Sequence, residues 1–413
     1  MIVEFHILQN LPPANINRDD NGDPKTAYFG GVRRARISSQ SIKRAMREYF
    51  SERIDEVGVR TSKIYEQVRI ALVEDFDKSA EDADRLARAA LDQVFDSKSK
   101  ESDDAEAQPG EKSKVSVFAD KVAFKRIAAI CNNETVALEV LAKNPAPKGK
   151  KAKGDPHKDD RKRIAELVEK ALTFSGALDI ALFGRMLANL GDGNVDAAAS
   201  VAHSISVNEQ KSEYDFWTAM DDLQSGEERG SDVMGQVAFN SSCFYRYIAV
   251  DLGQLSRNVS KGNVGMAEAI ELFTKAIFHA LPTGMQHSFG AYARPLFGFI
   301  SIREANLPLN LADAFMKPVR VSAGQHFGKH AIEALAKHWG DVSASYEDLR
   351  PVAAFAIRCG SGEAREAELG AMAPYAFDGT VESLAAKIGE AVSPTAQAAA
   401  SSVNGEPAHW ARS

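Results

Sequence analysis

The chain has 413 residues, 44% of them hydrophobic, three cysteines and a formal net charge of −7. That length accommodates two or three structural units. No apolar run approaches the roughly 20 residues of a membrane-spanning helix, and Met1-Ile2-Val3-Glu4-Phe5-His6 lacks a basic start followed by an apolar core, so neither a span nor a signal peptide is read and a cytoplasmic location is expected. Cys131, Cys243 and Cys359 form no CxxC pair, which argues against a zinc site and a disulfide framework and reads as three buried thiols.

In chain order, residues 2–8 predict a strand with Val3, Phe5 and Ile7 on one face, ended by Leu11-Pro12-Pro13. Residues 18–36 contain Asn21-Gly22-Asp23-Pro24 and Gly30-Gly31 and read as a long basic loop. Ser38-Ser39-Gln40 supplies hydroxyl caps for a helix in which Ile42, Ala45, Met46, Tyr49, Phe50 and Ile54 recur at helical spacing. Lys43, Arg44 and Arg47 near its start oppose the helix dipole, which a bound anion would offset. Residues 61–172 carry amphipathic helical stripes, interrupted by two low-complexity segments at 96–114 and 142–163. Strand character returns at 200–207 and 237–252, and the polar stretch between them, with Tyr214, Phe216 and Trp217, suggests a protruding arm. Helices are expected at 264–280 and 325–337, with a strand at 296–302. The order fits an α+β fold with an interrupted ferredoxin-like core of the kind used by RNA-recognition modules.

The charge is unevenly placed. Arg18, Lys25, Arg33, Arg34, Arg36, Lys43, Arg44 and Arg47 stand against Asp19, Asp20 and Asp23, a local excess of +5 on an acidic protein, and Arg33 to Arg47 contains no acid at all. An approaching phosphate feels this local charge within a Debye length of about 8 to 10 Å. A second block at residues 143–163 carries +6, including Lys148, Lys150, Lys151 and Lys153, and is also what an ordinary solvated loop looks like. Phe216-Trp217 reads either as core or as a wedge that stacks on bases. Catalytic signals are weak. His326-x-x-x-His330 lacks the Glu of a metalloprotease helix, and neither Gly30-Gly31 nor Gly191-Asp192-Gly193 matches a phosphate-binding motif. Asp221-Asp222 and Asp19-Asp20 are acidic pairs of the kind that hold Mg²⁺, but the latter pair reads better as ordering its loop through the neighbouring arginines.

These residues carry a family resemblance. Asn17-Arg18-Asp19-Asp20 and Phe29-Gly30-Gly31-Val32-Arg33-Arg34-Ala35-Arg36-Ile37-Ser38-Ser39-Gln40-Ser41-Ile42-Lys43-Arg44-Ala45-Met46-Arg47 resemble the signature of the CasC family, which forms the repeated backbone of type I-E CRISPR Cascade. Leu178-Asp179-Ile180-Ala181-Leu182-Phe183-Gly184-Arg185-Met186, Ala202-His203-Ser204-Ile205, Asp215-Phe216-Trp217-Thr218-Ala219-Met220-Asp221-Asp222-Leu223 and Phe244-Tyr245-Arg246-Tyr247 extend it in family order to about residue 321.

The resemblance implies a right-hand shape. Its palm, with an RNA-recognition-motif-like sheet, occupies residues 1–60, 178–207 and 237–325; helical fingers are inserted at 61–177; a thumb hairpin spans 208–236; and a C-terminal helical region covers 326–413. It also implies a non-enzymatic subunit without cofactor or metal, whose partners are the guide RNA (crRNA), target DNA paired with the guide, further copies of itself head to tail, and the large, small and repeat-handle Cascade subunits, with no membrane. Carried over, phosphate and sugar contacts fall on Arg18, Lys25, Ser38, Gln40, Lys43, Arg44 and Arg47, joined by Arg34 and Arg36 from the basic run itself. Base-wedging contacts fall on Met186, Phe216 and Trp217. The chain departs from the family at Gly284-Met285-Gln286-His287, where relatives have a Lys before the Gln. A metal-dependent ribonuclease that cuts RNA at regular intervals is the rival reading, with Asp19, Asp20 or Asp23 as its acids. If the second block extends the basic surface toward target DNA, neutralising Lys148, Lys150, Lys151 and Lys153 together weakens duplex-DNA binding in a filter-binding assay, and unchanged binding removes that role.

Overall fold

The computed structural model describes residues 1–95, 117–145, 155–187, 193–220, 231–260, 262, 264–304, 307–322, 325–359 and 368–393. In chain order the elements begin with β1 (Ile2–Ala14), β2 (Thr26–Phe29), β3 (Val32–Ile37), α1 (Ser39–Ser51), β4 (Gly58–Thr61), α2 (Ile64–Phe76), α3 (Ala80–Phe95), β5 (Val117–Asp120), α4 (Lys121–Asn133), α5 (Thr135–Lys143), α6 (Lys158–Thr173) and α7 (Leu178–Phe183). They continue with β6 (Ala199–Val201), β7 (Ser204–Ser206), β8 (Glu213–Met220), β9 (Ser231–Asp251), α8 (Leu252–Val259), α9 (Met266–His279), α10 (Gln286–Phe289), β10 (Phe297–Arg303), α11 (Phe327–Ser343), β11 (Ala353–Arg358) and α12 (Val381–Ala391). They fall into two compact units, one of residues 1–52, 199–253 and 266–413 and one of residues 53–198 and 254–265.

The first unit is α+β, as expected. Its antiparallel sheet runs β11-β10-β1-β9-β7-β3-β2, with β6 and β8 also paired to β9. β1 is hydrogen-bonded on both edges, and every residue from Ile2 to Leu8 is buried. Alternation sends Val3, Phe5 and Ile7 to one face, where Phe5 meets Phe273 of α9 edge-on at 6.1 Å. Ile2 and Leu8 face the other way, into a core with Phe299, Phe315, Leu335 and Trp339. Glu4 and His6 share that second face and are fully buried. Glu4 is paired with Arg303 and accepts from the Tyr247 hydroxyl at 2.7 Å. The Tyr245 hydroxyl accepts from the Leu311 amide at 3.1 Å and shares a hydrogen bond with Nδ1 of His6, 2.8 Å away.

Where the sequence read one basic loop at 18–36, the chain forms a hairpin. Thr26 to Phe29 pairs with Val32 to Ala35 across a Gly30-Gly31 turn, both glycines at positive φ. A Cβ on Gly30 would lie 1.7 Å from the Met316 carbonyl oxygen, so the β2–β3 tip closes onto the main sheet unit only with glycine there. Ser38 occupies the N-cap position of α1 with extended backbone but makes no capping bond from its side chain, contrary to the hydroxyl-cap reading. The strand expected at 200–207 is two short strands, β6 and β7, separated by Ala202-His203. Strand 237–252 is the second half of the 21-residue β9, whose first half pairs with β8 as the arm. α9, β10 and α11 lie close to their expected positions, whereas β11 is a strand inside the region expected to be helical.

The second unit is helical, with a core in which Ile64, Val68, Leu72, Leu86, Leu91, Ile127, Leu138, Ile164 and Leu172 interlock and to which the β4–β5 ribbon contributes Val117 and Ala119. Asp120 caps α4 through the Val122 amide at 3.0 Å and also accepts from Gly176 at 3.1 Å. Arg185 is buried, donating to the Gly193, Leu172 and Thr173 carbonyls. Among the described residues no helix is long and apolar enough to cross a membrane. Cys131 and Cys243 are buried, their thiols pushed up to about 12 by desolvation, and Cys359 is only half-buried, which corrects the reading of three buried thiols.

Burial lowers His6 to about 4 from its usual 6.5, with the nearby Glu4 opposing and Arg303 adding to the effect. The unfolded chain therefore binds a proton at a pH where the folded chain does not. Stability from this group is complete above pH 6.5, falls as the pH drops toward 4, and totals on the order of 3 kcal/mol. Guanidinium unfolding at stepped pH is expected to show that loss, and His6→Gln to lack it; identical slopes for the two proteins would contradict the assignment.

Candidate nucleic-acid interface

Between β1 and β2 the chain makes a closed loop. Asp19 accepts the amides of Asn21 and Asp23 at 2.9 and 3.0 Å, and the Asp19 amide bonds the Asp23 carbonyl at 2.8 Å. The loop is therefore ordered by a carboxylate on backbone amides, not by Asp–Arg pairing. Asn15 ties it to the sheet, donating to Gly22 and Ala238 carbonyls at 2.8 and 2.9 Å. The Asn17 side chain accepts from the Ser38 amide at 2.8 Å, which fixes the loop against the start of α1. Between the two lies a surface cleft of about 540 Å³ lined by Arg18, Asp20, Ser41, Arg44, Glu48 and Thr283. A Cβ on Gly284, at its far wall, would meet the Ile16 carbonyl oxygen at 2.4 Å, so the backbones touch there.

Ile42, Ala45, Met46 and Phe50 bury the inner face of α1, and the i, i+4 geometry leaves Gln40 and Arg44 exposed and Lys43 and Arg47 half-buried. Arg44 pairs with Glu48 at 2.9 Å on the surface, where such a pair contributes little. Burial, then proximity to Arg47, holds the Lys43 ammonium below its usual range. Ser38 is buried at the helix start, Arg18 is exposed, and Lys25 is half-buried.

One member of the set is corrected. Arg34 has 0% exposure, and its guanidinium donates to the carbonyls of Phe29, Ser206, Val207, Phe315 and Met316 at 2.7 to 3.3 Å. Every direction of its fork is occupied by protein, so it is not available to a phosphate. Arg36, two residues on, reaches the surface, where Nε donates to the Thr26 carbonyl and Nη1 meets His203 Nδ1 at 3.0 Å. His203 was not singled out by sequence. Its partner is 167 residues away, and only its place in Ala202-His203-Ser204-Ile205 marked it.

In the arm, Phe216 faces Gln236 and Trp217 faces Gly235 across the β8–β9 ribbon, so the two rings point to opposite faces. Both are exposed, 64% and 44%, and Tyr214 and Met234 join Phe216 on its side. The Trp217 ring lies over Gly235, where a Cβ would be 2.4 Å from it. Met186, in the helical unit, is 81% exposed. Lys148, Lys150, Lys151 and Lys153 lie outside the described residues, as do Asp221 and Asp222. The described arginines of that second block are paired, Arg161 with Asp155 at 2.8 Å and Arg163 with Glu134. Of the metal candidates, Asp19 is engaged as above, and among the described residues no three His, Cys, Asp or Glu side chains gather as a metal site. His330 contacts Glu333 at 3.1 Å.

The unit is thus an α+β sheet protein with a basic loop and helix start and an aromatic ribbon on the same sheet. A profile of the CT1975-like protein family, Cas_CT1975, matches residues 3–383, and the chain belongs to that family. It is similar in structure to a chain of a "CRISPR RNA-guided surveillance complex, pre-nicking", with TM-score 0.79, 28% identity, and 95% of this chain and 100% of that one covered. A chain of a second "CRISPR RNA-guided surveillance complex" gives TM-score 0.69 at 25% identity, with the same coverage. No curated protein matches the sequence.

Removing Arg34 would leave five carbonyls facing a void. Arg34→Ala is expected to destabilise the protein by about 3 kcal/mol or more, read as a lowered denaturant midpoint. Arg33→Ala, at an exposed position on the same strand, is expected to shift it by less than about 0.5 kcal/mol.

Proposed function

We propose that the chain is the guide-RNA-binding backbone subunit of a type I-E CRISPR Cascade complex. The observation that supports this best is the joining, in one unit, of a cation-bearing loop and helix start with a two-sided aromatic ribbon. Arg18, Lys25, Arg36, Lys43, Arg44 and Arg47 act on phosphates, and Ser38 and Gln40 on the neighbouring backbone, without regard to base. Phe216 and Trp217, with Met186, wedge bases apart at intervals, each stacked base contributing roughly 1 to 3 kcal/mol. Copies add head to tail, a heterologous contact that continues as a helical filament along the guide. Bases left exposed between thumbs pair with target DNA, so sequence discrimination belongs to base pairing and the chain itself performs no chemistry. The large, small and repeat-handle subunits complete the assembly, in the cytoplasm.

Of the three acids of the ribonuclease reading, Asp19 accepts two backbone amides of its own loop through Oδ1, which favours an ordering role for it over metal binding. Incubating the assembled protein with complementary RNA and Mg²⁺ is expected to leave the RNA intact; periodic fragments would favour the rival. Protein purified from cells that express a CRISPR array is expected to carry repeat-flanked guide RNA. Binding to single-stranded RNA should be insensitive to sequence and weaken with salt. The Arg18→Gln and Arg44→Gln variants should each lower the log K against log salt slope by about 0.7. A strong base preference, or slopes unchanged in both variants, would overturn the reading.

A further inference from the structure

His203 sits on the surface between β6 and β7, its Nδ1 facing Nη1 of Arg36 at 3.0 Å. A guanidinium has donors only. Nδ1 must therefore accept, and the ring is neutral, with its proton on Nε2. Arg36 is also held by the bond from Nε to the Thr26 carbonyl, and the Arg36 amide bonds the Lys25 carbonyl at 2.8 Å, so Lys25 and Arg36 leave the backbone from adjoining positions, while the pairing of Ile37 with Ser204 brings His203 to the same end of β3. After burial, Arg36 and Lys25 are the groups that hold His203 below its usual range, and no carboxylate acts on it. The other N–H groups of Arg36, the Lys25 ammonium and His203 Nε2–H have no acceptor among the described residues. A spot with donors on three side chains and no acceptor suits a ligand that offers oxygens and negative charge.

We propose that Lys25, Arg36 and His203 form one phosphodiester site for single-stranded RNA, in which the two cations neutralise the phosphate and His203 Nε2–H donates to one of its oxygens. The inference rests on the RNA-binding reading above and adds to it a contact that is neutral. Arg36 thus has two roles: it meets the phosphate, and by occupying Nδ1 it fixes the tautomer that points a proton outward.

The two amide substitutions separate contact from positioning. In His203→Gln the side-chain amide nitrogen takes the place of Nε2 and keeps the outward donor, whereas in His203→Asn the carbonyl oxygen takes the place of Nδ1 and keeps only the acceptor for Arg36. With labelled oligouridine and the full chain, His203→Ala and His203→Asn are expected to weaken binding about tenfold, and His203→Gln to stay near wild type. Because the group is neutral, the salt slope of all three should equal that of wild type, while Lys25→Gln should lower it by about 0.7. Wild-type affinity in His203→Ala, or in His203→Asn, overturns the proposed contact. If Arg18→Gln and Arg44→Gln still weaken binding in that event, only this site falls. If the wild-type protein does not bind the oligonucleotide, the RNA reading falls with it.

Discussion

The guanidinium of Arg34 holds together three stretches of chain that sequence keeps far apart: the end of β2 at Phe29, the end of β7 at Ser206 and Val207, and the turn at Phe315 and Met316. All of its direct hydrogen bonds go to carbonyl dipoles, which is a sound arrangement only if all of them point inward. Burial lowers its affinity for a proton, with Glu209 the opposing charge, yet a guanidinium stays ionised under such a shift. Once that cage is closed, the hairpin cannot slide, because a one-residue slip would carry Arg34 to the solvent face and Arg33 inward.

A second buried polar network lies beneath β1. Glu4 and Arg303 are both removed from water, a condition that is unfavourable unless the remaining lone pairs and protons are met. The Tyr247 hydroxyl and the Leu309 amide complete Glu4, and the Asp348 and Leu307 carbonyls complete Arg303. His6 and Tyr245 then anchor the Leu311 amide. This network ties the sheet to the turns at 307–315, and the far end of that segment is where Arg34 docks. The two polar systems therefore hold opposite ends of one short piece of chain.

Much of the fold was legible because burial leaves a period. Ile332, Leu335, Ala336 and Trp339 mark α11, and Ile270, Phe273 and Ile277 mark α9, as cleanly in sequence as in space. The hairpin was not legible, since Arg33-Arg34-Ala35-Arg36 carries the residues of a solvated loop and only the carbonyls of remote segments make a core residue of the second arginine. β11 was missed for a related reason: Ala353-Ala354-Phe355-Ala356 has weak strand propensity and owes its conformation to pairing with β10. At the site, local charge and caps picked out Arg18, Arg44 and Arg47, whereas His203 was invisible because its chemistry comes from a partner across the sheet.

An acid-free run of arginines is thus not one chemical statement. Arg33 stands exposed, Arg34 is internal, and Arg36 is shared between a carbonyl and an imidazole. The ribbon makes the corresponding point for aromatics. Leaving Tyr214, Phe216 and Met234 in water on one face is unfavourable unless a ligand covers them in use. Trp217 lies flat over Gly235 on the other face, so the two-stranded platform is packed before anything binds. Side chains already ordered lose less freedom on association, and a wedge needs that stiffness to part stacked bases rather than bend away from them. Glycine at 235 serves the wedge as glycine at 30 serves the hairpin, by letting a neighbour come closer than any Cβ would permit.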